Sequence, residues 1–324
     1  MTFLRNIFHP DRFHGKSKDA PFFEGWYFKL ANEIEDKFFA FIPGVFMGDN
    51  GYAFIQILNG NTGESKFVKY PLSDFKAAKD SFEVWIGNSY FSLDEIRLGI
   101  KNEEVEVEGK LNFSGVNGWP VSVISPGIMG WFAWVPFMEC YHGVLGFDHE
   151  LIGTLSVNGS EINFLGGRGY IEKDWGRSFP EAYIWMQTNH FEEGDVSLTA
   201  SLALIPWIGY SFPGFIIGLW VKGKLYRFAT YTGAKIEKLS IEGDIVEIRI
   251  RGRKFTIELR AERAGGGELK GPTEKAMDVR VFESMTSVID VKLSTSRGEI
   301  IFEQTGKHAG LEIVGDLELL RPKK

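Results

Sequence analysis

The sequence predicts an all-β protein of antiparallel barrels or sandwiches. Three observations lead there: glycine at 38 of 324 residues, aromatic residues at 15% with 28 phenylalanines, and several runs in which apolar and polar residues alternate with a period of two. Glycine supplies turns, and aromatic and β-branched side chains fill the strands between them. No long run has the 3.6-residue period of an amphipathic helix, and a short helix over Ser73–Lys79 is the one helical expectation.

Along the chain, Gly25–Leu30 reads as an aromatic strand, a charged turn follows at Asn32–Lys37, and an apolar strand runs on to Pro43. From Glu104 to Phe113, Val105, Val107, Gly109, Leu111 and Phe113 share one face. Glu104, Glu106, Glu108, Lys110 and Asn112 take the other, which is a strand with one wet side. Tyr183–Thr188 reads as a second aromatic strand, followed by an acidic turn at Glu192–Asp195 and an apolar strand ending at Pro206. Val246, Ile248, Ile250 and then Phe255, Ile257, Leu259 alternate with charges around a turn at Gly252–Lys254, and Gly298–Glu303 and Leu311–Gly315 supply the last strands. The second half therefore echoes the first, which predicts two β domains, 1–165 and 166–324.

Val196–Val221 carries no charged residue and is long enough to span a bilayer as a helix. Pro206, Gly209, Pro213, Gly214 and Gly218 would break that helix repeatedly. The segment reads instead as strands Val196–Ile205 and Phe215–Val221 joined by a loop, Pro206–Gly214, whose tip from Trp207 to Phe212 is a candidate for peripheral membrane contact. Val121–Met138 is apolar with similar interruptions.

Composition excludes several classes. With 36 basic and 43 acidic residues the net charge is −7, which argues against a nucleic-acid binder. The lone Cys140 excludes an intramolecular disulfide and any cysteine-clustered metal site. Met1–Phe13 is broken by Arg5, His9, Pro10, Asp11 and Arg12 and lacks the apolar run of a secretory signal, so a cytoplasmic location is expected. Neither a GxSxG elbow, a Walker loop nor an HExxH pair occurs, and Glu268 after Gly265–Gly267 would repel a phosphate. Glu139 and His142 have the spacing of a di-iron half-site, but once only and among Pro136, Gly143 and Gly146, so neither a metal nor a cofactor is expected. The aromatic excess suits a cavity for a hydrophobic small molecule, although a thick ordinary core is the commoner explanation.

Two segments carry candidate chemistry: Phe22–Phe28, with Glu24 inside an aromatic run, and Gly169–Pro180, with Glu172, Lys173, Asp174 and Trp175. Burial among aromatic walls raises a carboxylate's pKa and lets it remain a proton donor near neutral pH, and the aromatic faces could stabilise a cation. The plainer reading is that Asp174 or Glu172 pairs with Lys173, Arg168 or Arg177 to fix a turn.

These same segments, Phe22-Phe23-Glu24-Gly25-Trp26-Tyr27-Phe28-Lys29 and Tyr170-Ile171-Glu172-Lys173-Asp174-Trp175-Gly176 with Ser178-Phe179-Pro180, resemble motifs of the tocopherol cyclase family. The likeness continues through Trp185-Met186-Gln187-Thr188-Asn189 and Gly271-Pro272-Thr273-Glu274. The resemblance implies two lipocalin-like antiparallel β-barrel domains and closure of a prenylated hydroquinone to a chromanol without metal or redox cofactor. It makes Glu24, Glu172 and Asp174 the acid candidates, Trp26 and Trp175 the aromatic walls, and Glu139, His142, Trp185 and Gln187 further substrate-binding candidates. Phe137-Met138-Glu139-Cys140-Tyr141-His142 departs from the family's aromatic-Glu-Pro-His stretch in the position of the histidine. Hydration of a related isoprenoid shares the same cation, and a non-catalytic isoprenoid carrier is the alternative from another class.

Overall fold

The computed structural model describes residues 6–15, 21–123 and 125–321. The chain divides into two units, one of Met1–Phe179 with Glu268–Arg280 and one of Pro180–Gly267 with Val281–Lys324. The expected boundary at 165 falls short because the strand that follows it is hydrogen-bonded into the middle of the first sheet.

The first unit contains β1 (Phe22–Asn32), β2 (Lys37–Met47), β3 (Tyr52–Asn59), β4 (Ser65–Pro71), β5 (Phe75–Ala77), β6 (Glu83–Ile86), β7 (Ser89–Ser92), β8 (Glu95–Lys101) and β9 (Glu106–Ser114). A small pair, β10 (Val121–Ser122) and β11 (Ser125–Pro126), precedes β12 (Cys140–Val157), β13 (Ser160–Asn163) and β14 (Gly167–Gly176). Apart from the small pair, these strands form one 12-stranded sheet in the order β4-β3-β2-β1-β14-β12-β9-β8-β7-β6-β5, with β13 beside β12. Ser73–Lys79 is not a helix beyond a single 3-10 turn at Leu72–Asp74; Phe75–Ala77 is already strand.

The second sheet is built from β15 (Tyr183–Thr188), β16 (Val196–Trp207), β17 (Tyr210–Val221), β18 (Lys224–Ala229), β19 (Lys235–Glu242), β20 (Ile245–Arg251), β21 (Phe255–Glu262), β22 (Gly266–Pro272), β23 (Met277–Thr295) and β24 (Ile300–Val314). Its order is β18-β17-β16-β15-β24-β23-β21-β20-β19, with β22 beside β23. In both sheets the opening aromatic strand is flanked by the strand after it and by the last strand of the meander, so β1 and β15 are topological equivalents. The echo between the two halves of the sequence has this structural basis.

Val196–Val221 is a β-hairpin, as its prolines and glycines require, but its strands are longer than expected. Pairing runs without a break to Trp207↔Tyr210, leaving only Ile208 and Gly209 as the turn rather than a loop over 206–214. Among the described residues, no helix is long and apolar enough to cross a membrane.

Each sheet encloses its own apolar cluster. Phe28, Phe41, Ile55, Phe91, Leu111 and Leu151 are central to the first, and Ile184, Leu198, Ile217, Ile250, Leu259 and Val291 to the second. The predicted alternation holds where one face is wet: in β9, Val107, Leu111 and Phe113 are buried and Glu108, Lys110 and Asn112 exposed. β1 is buried along nearly its whole length on both faces, and this is why it reads as a continuous aromatic run.

Candidate functional site

The site is organised by one strand. Successive side chains of β14 point to opposite faces, and Ile171 and Trp175 both pack with the first apolar cluster. Lys173 therefore faces the barrel interior, while Tyr170, Glu172 and Asp174 face the other way. On β1, Phe22, Trp26 and Phe28 belong to the same interior cluster, which places Glu24 inside as well. β1 and β14 are antiparallel neighbours with Glu24 opposite Trp175 and Trp26 opposite Lys173.

Inside the barrel, Lys173 Nζ lies 2.7 Å from Glu24 Oε1, and both side chains are 0% exposed. The backbone N–H of His14 donates to Glu24 Oε2 at 2.8 Å. The Lys173 ammonium also meets His14 Nδ1 at 2.9 Å, and His14 Nε2 meets the carbonyl of Asn6 at 3.3 Å, a pairing that fits a neutral ring protonated on Nε2. The ring stacks on Trp175 with centroids 4.4 Å apart, and Phe13 packs against Phe75.

This geometry corrects the expectation for Glu24. Burial alone would raise its pKa, but the Lys173 ammonium and the His14 donor outweigh it and hold the carboxyl below the usual carboxylate range. Glu24 is an anion in a buried ion pair rather than a neutral acid. Trp26 and Trp175 likewise face a cation belonging to the protein: Lys173 Nζ lies 5.3 Å from the Trp26 ring centre and 4.7 Å from that of Trp175.

On the opposite face of β14, His142 of β12 stands across from Asp174. His142 Nδ1 lies 2.9 Å from Asp174 Oδ1, and Nε2 lies 3.6 Å from Glu172 Oε2. The Tyr170 hydroxyl donates to Glu172 Oε2 at 2.5 Å. Burial pulls the imidazole's pKa down, but Asp174 and Glu172 together carry it up to about 9. His142 is therefore an imidazolium at neutral pH. The side chain of Asp174 is 26% exposed against 13% for His142 and 6% for Glu172, so Asp174 is the member that outside molecules reach. The β12–β14 ladder is irregular just beyond, between Val144 and Gly146, a common way to aim a side chain beside a site.

Glu172 and Asp174 point away from their strand neighbour Lys173, whose ion pair is with Glu24. Arg168 instead pairs with Asp148. The ligand atoms of His142, Glu172 and Asp174 lie within 4.8 Å of one another and form a set that could hold a metal ion. A proton on His142 with a pKa of about 9 competes with any such ion. Glu139 accepts from Ser178 Oγ at 2.7 Å, which fixes the segment leading out of β14. Trp185 and Gln187 are buried on β15 in the second unit, where Gly310 leaves room for the indole: a Cβ there would stand 2.7 Å from the Trp185 ring.

Two histidines escaped the sequence reading. His14 takes part through its backbone N–H and neutral ring, which no spacing announces. His149 sits beside Phe113, with ring centres 4.5 Å apart, and neither ring nitrogen has a hydrogen-bond partner among the described residues. Burial drives its pKa down to about 3.

Two lipocalin-like antiparallel β units, with a carboxylate–imidazole–carboxylate triad shared by β12 and β14 in the middle of the first sheet, define the class of all-β protein to which the chain belongs. By sequence the chain belongs to the tocopherol cyclase-like family, whose profile matches residues 58–315 and so takes in β12 and β14 but not Glu24. It is 29% identical over 199 residues to a chloroplastic tocopherol cyclase of Zea mays, covering 57% of this chain and 41% of that protein. A rice (Oryza sativa subsp. japonica) protein named "Probable tocopherol cyclase, chloroplastic" is 28% identical over 215 residues, covering 62% of this chain and 45% of its own length. The matches thus span less than half of these relatives. Among solved structures, CghA superposes with a TM-score of 0.57 at 12% identity, covering 92% of this chain and 90% of CghA. An AttH-type protein of Nitrosomonas europaea gives 0.52 at 13% identity, covering 90% and 92%. At these identities the structural likeness concerns the fold alone.

Proposed function

We propose that the chain is a cyclase that closes a prenylated hydroquinone to a chromanol, with Asp174 and His142 forming the acid. The observation that carries this reading is the 2.9 Å contact between His142 Nδ1 and Asp174 Oδ1 in a protein of this family. The triad holds one proton on His142 between two carboxylates. Transfer of that proton to Asp174 leaves a neutral imidazole and a carboxylic acid on the most accessible member. Asp174 then gives the proton to the prenyl double bond: the π pair forms the new C–H bond, and the adjacent tertiary carbon becomes a cation. The phenol oxygen donates a lone pair to that carbon, closing the ring, and its proton returns to the Asp174–His142 pair. The reaction is an isomerisation with no net proton, electron or water consumed. Glu172, fixed by Tyr170, keeps the imidazole charged between turnovers. Water attacking the same cation would give hydration of an isoprenoid instead.

Turnover of a prenylated hydroquinone in deuterated water, read by mass spectrometry, tests this. The expected product is a chromanol with one non-exchangeable deuterium on the former vinylic carbon. Asp174→Asn should lose at least about a hundredfold in rate, the lower end of what a general acid supplies, while still binding the substrate. A deuterated tertiary alcohol would show hydration. Substrate bound but returned unchanged would make the protein a carrier, and full activity in Asp174→Asn would remove Asp174 from the acid role.

A further inference from the structure

We infer that the tip of the β16–β17 hairpin is a membrane anchor that inserts into the surface of an electrically neutral lipid bilayer. β15 begins opposite Ala203 and β18 ends opposite Ile216. Residues 205–214 therefore run past both neighbouring strands as a two-stranded ribbon, reaching roughly 15 Å at about 3.3 Å per residue, half-buried at its base and exposed from Ile208 to Ser211. The ribbon reads Ile-Pro-Trp-Ile-Gly-Tyr-Ser-Phe-Pro-Gly, uncharged and, apart from Ser211, apolar or aromatic on both faces. At its end Ile208 is 76% and Tyr210 60% exposed.

The turn residue is the second observation. Ile208 has φ 29° and Gly209 φ 81°. Two-residue turns of this kind favour asparagine or glycine at both positions, and a β-branched residue there is strained. An isoleucine at the most exposed point of the hairpin thus works against local stability while placing an apolar side chain outermost.

Charge selects the occupant. No charged residue occurs between Val196 and Val221. The flanking charges sit at the far end of the hairpin, where Lys222 pairs with Glu193 and Asp195 accepts from Trp220 Nε1. A protein partner would need a polar rim, and Pro206 and Pro213 obstruct strand addition by a second copy. A neutral bilayer interface, which accepts tryptophan, tyrosine and aliphatic side chains without countercharge, fits the ribbon. This inference goes beyond the cyclase reading and does not depend on it.

The test is co-sedimentation of the full chain with dioleoyl phosphatidylcholine vesicles, without substrate. The chain should pellet with the vesicles at low salt and equally at about 0.5 M salt, where surface charge attraction is screened. The double variant Ile208→Asn/Tyr210→Ser should lose at least about tenfold in partitioning. Ile208→Asn alone should leave the thermal midpoint unchanged or higher, since asparagine tolerates this φ. Four results would overturn the proposal: the native chain staying in the supernatant, equal pelleting of the double variant, binding confined to anionic vesicles and abolished by salt, or a solution dimer that the double variant dissociates.

Discussion

The charged state of His142 can be read as a pH dependence of folding stability. Its folded pKa is about 9 against an ordinary 6.5, so between those values the folded chain binds a proton that the unfolded chain has lost. Stability from this group is fully present below pH 6.5 and is lost as pH rises through 9. The gap of 2.5 units at 1.36 kcal/mol per unit sets the contribution at about 3 kcal/mol. Urea unfolding of the native chain and of His142→Gln, measured from about pH 6 to about pH 9.5, isolates the triad, because titrating groups outside it contribute equally to both. The difference in unfolding free energy between the two proteins should shrink by about 3 kcal/mol across that window. A difference that stays constant would refute the charged triad, and with it the proton store on which the proposed acid depends.

Further outcomes follow from the buried groups. Glu24→Gln or Lys173→Met alone should destabilise by about 3–5 kcal/mol in chemical denaturation by leaving one charge buried, while the double change Glu24→Leu/Lys173→Met should recover most of that loss. His149 titrates in the opposite sense: its folded pKa of about 3 means the unfolded chain takes up a proton first as pH falls below 6.5, so stability drops toward acid, and His149→Phe should flatten that limb of the profile. Gly169→Ala should destabilise by about 1–3 kcal/mol, measured by thermal unfolding, because the new Cβ would stand 2.1 Å from His149 Nε2. Added zinc should inhibit turnover more at pH 9 than at pH 7, as the proton on His142 leaves the triad, while chelators should leave turnover intact.

The strands whose facing could be read in the sequence are those with one wet face. β9, β20 and β21 show alternation because their outer residues meet water, and the hairpin β16–β17 is legible through the prolines and glycines that forbid a helix. β1 and β2 are legible only as aromatic and apolar runs between turns, without alternation, since both their faces are buried. In the site, the carboxylates of β14 stood out as odd residues in an aromatic setting, but their partners did not. Lys173 belongs to Glu24, 149 residues away, and Asp174 belongs to His142, 32 residues away. Strand alternation alone argues against Lys173 as the partner of Glu172 or Asp174, whereas Arg168 shares a face with Glu172 and only the structure gives it to Asp148. The involvement of His14 could not be read, because it rests on a backbone N–H brought to Glu24 by tertiary structure.

The back-to-back placement of the two clusters on β14 has a consequence for how this protein can be recombined. A one-residue insertion or deletion between Gly167 and Lys173 would turn the strand over, sending Glu172 and Asp174 into the barrel and Lys173 out of it, so two ion-pair systems would fail at once. The segment can tolerate exchange of side chains but not a change of length. A chimera between family members should therefore carry β1, β14 and the stretch holding His14 as one inherited block, even though β14 lies more than a hundred residues from the other two in the chain.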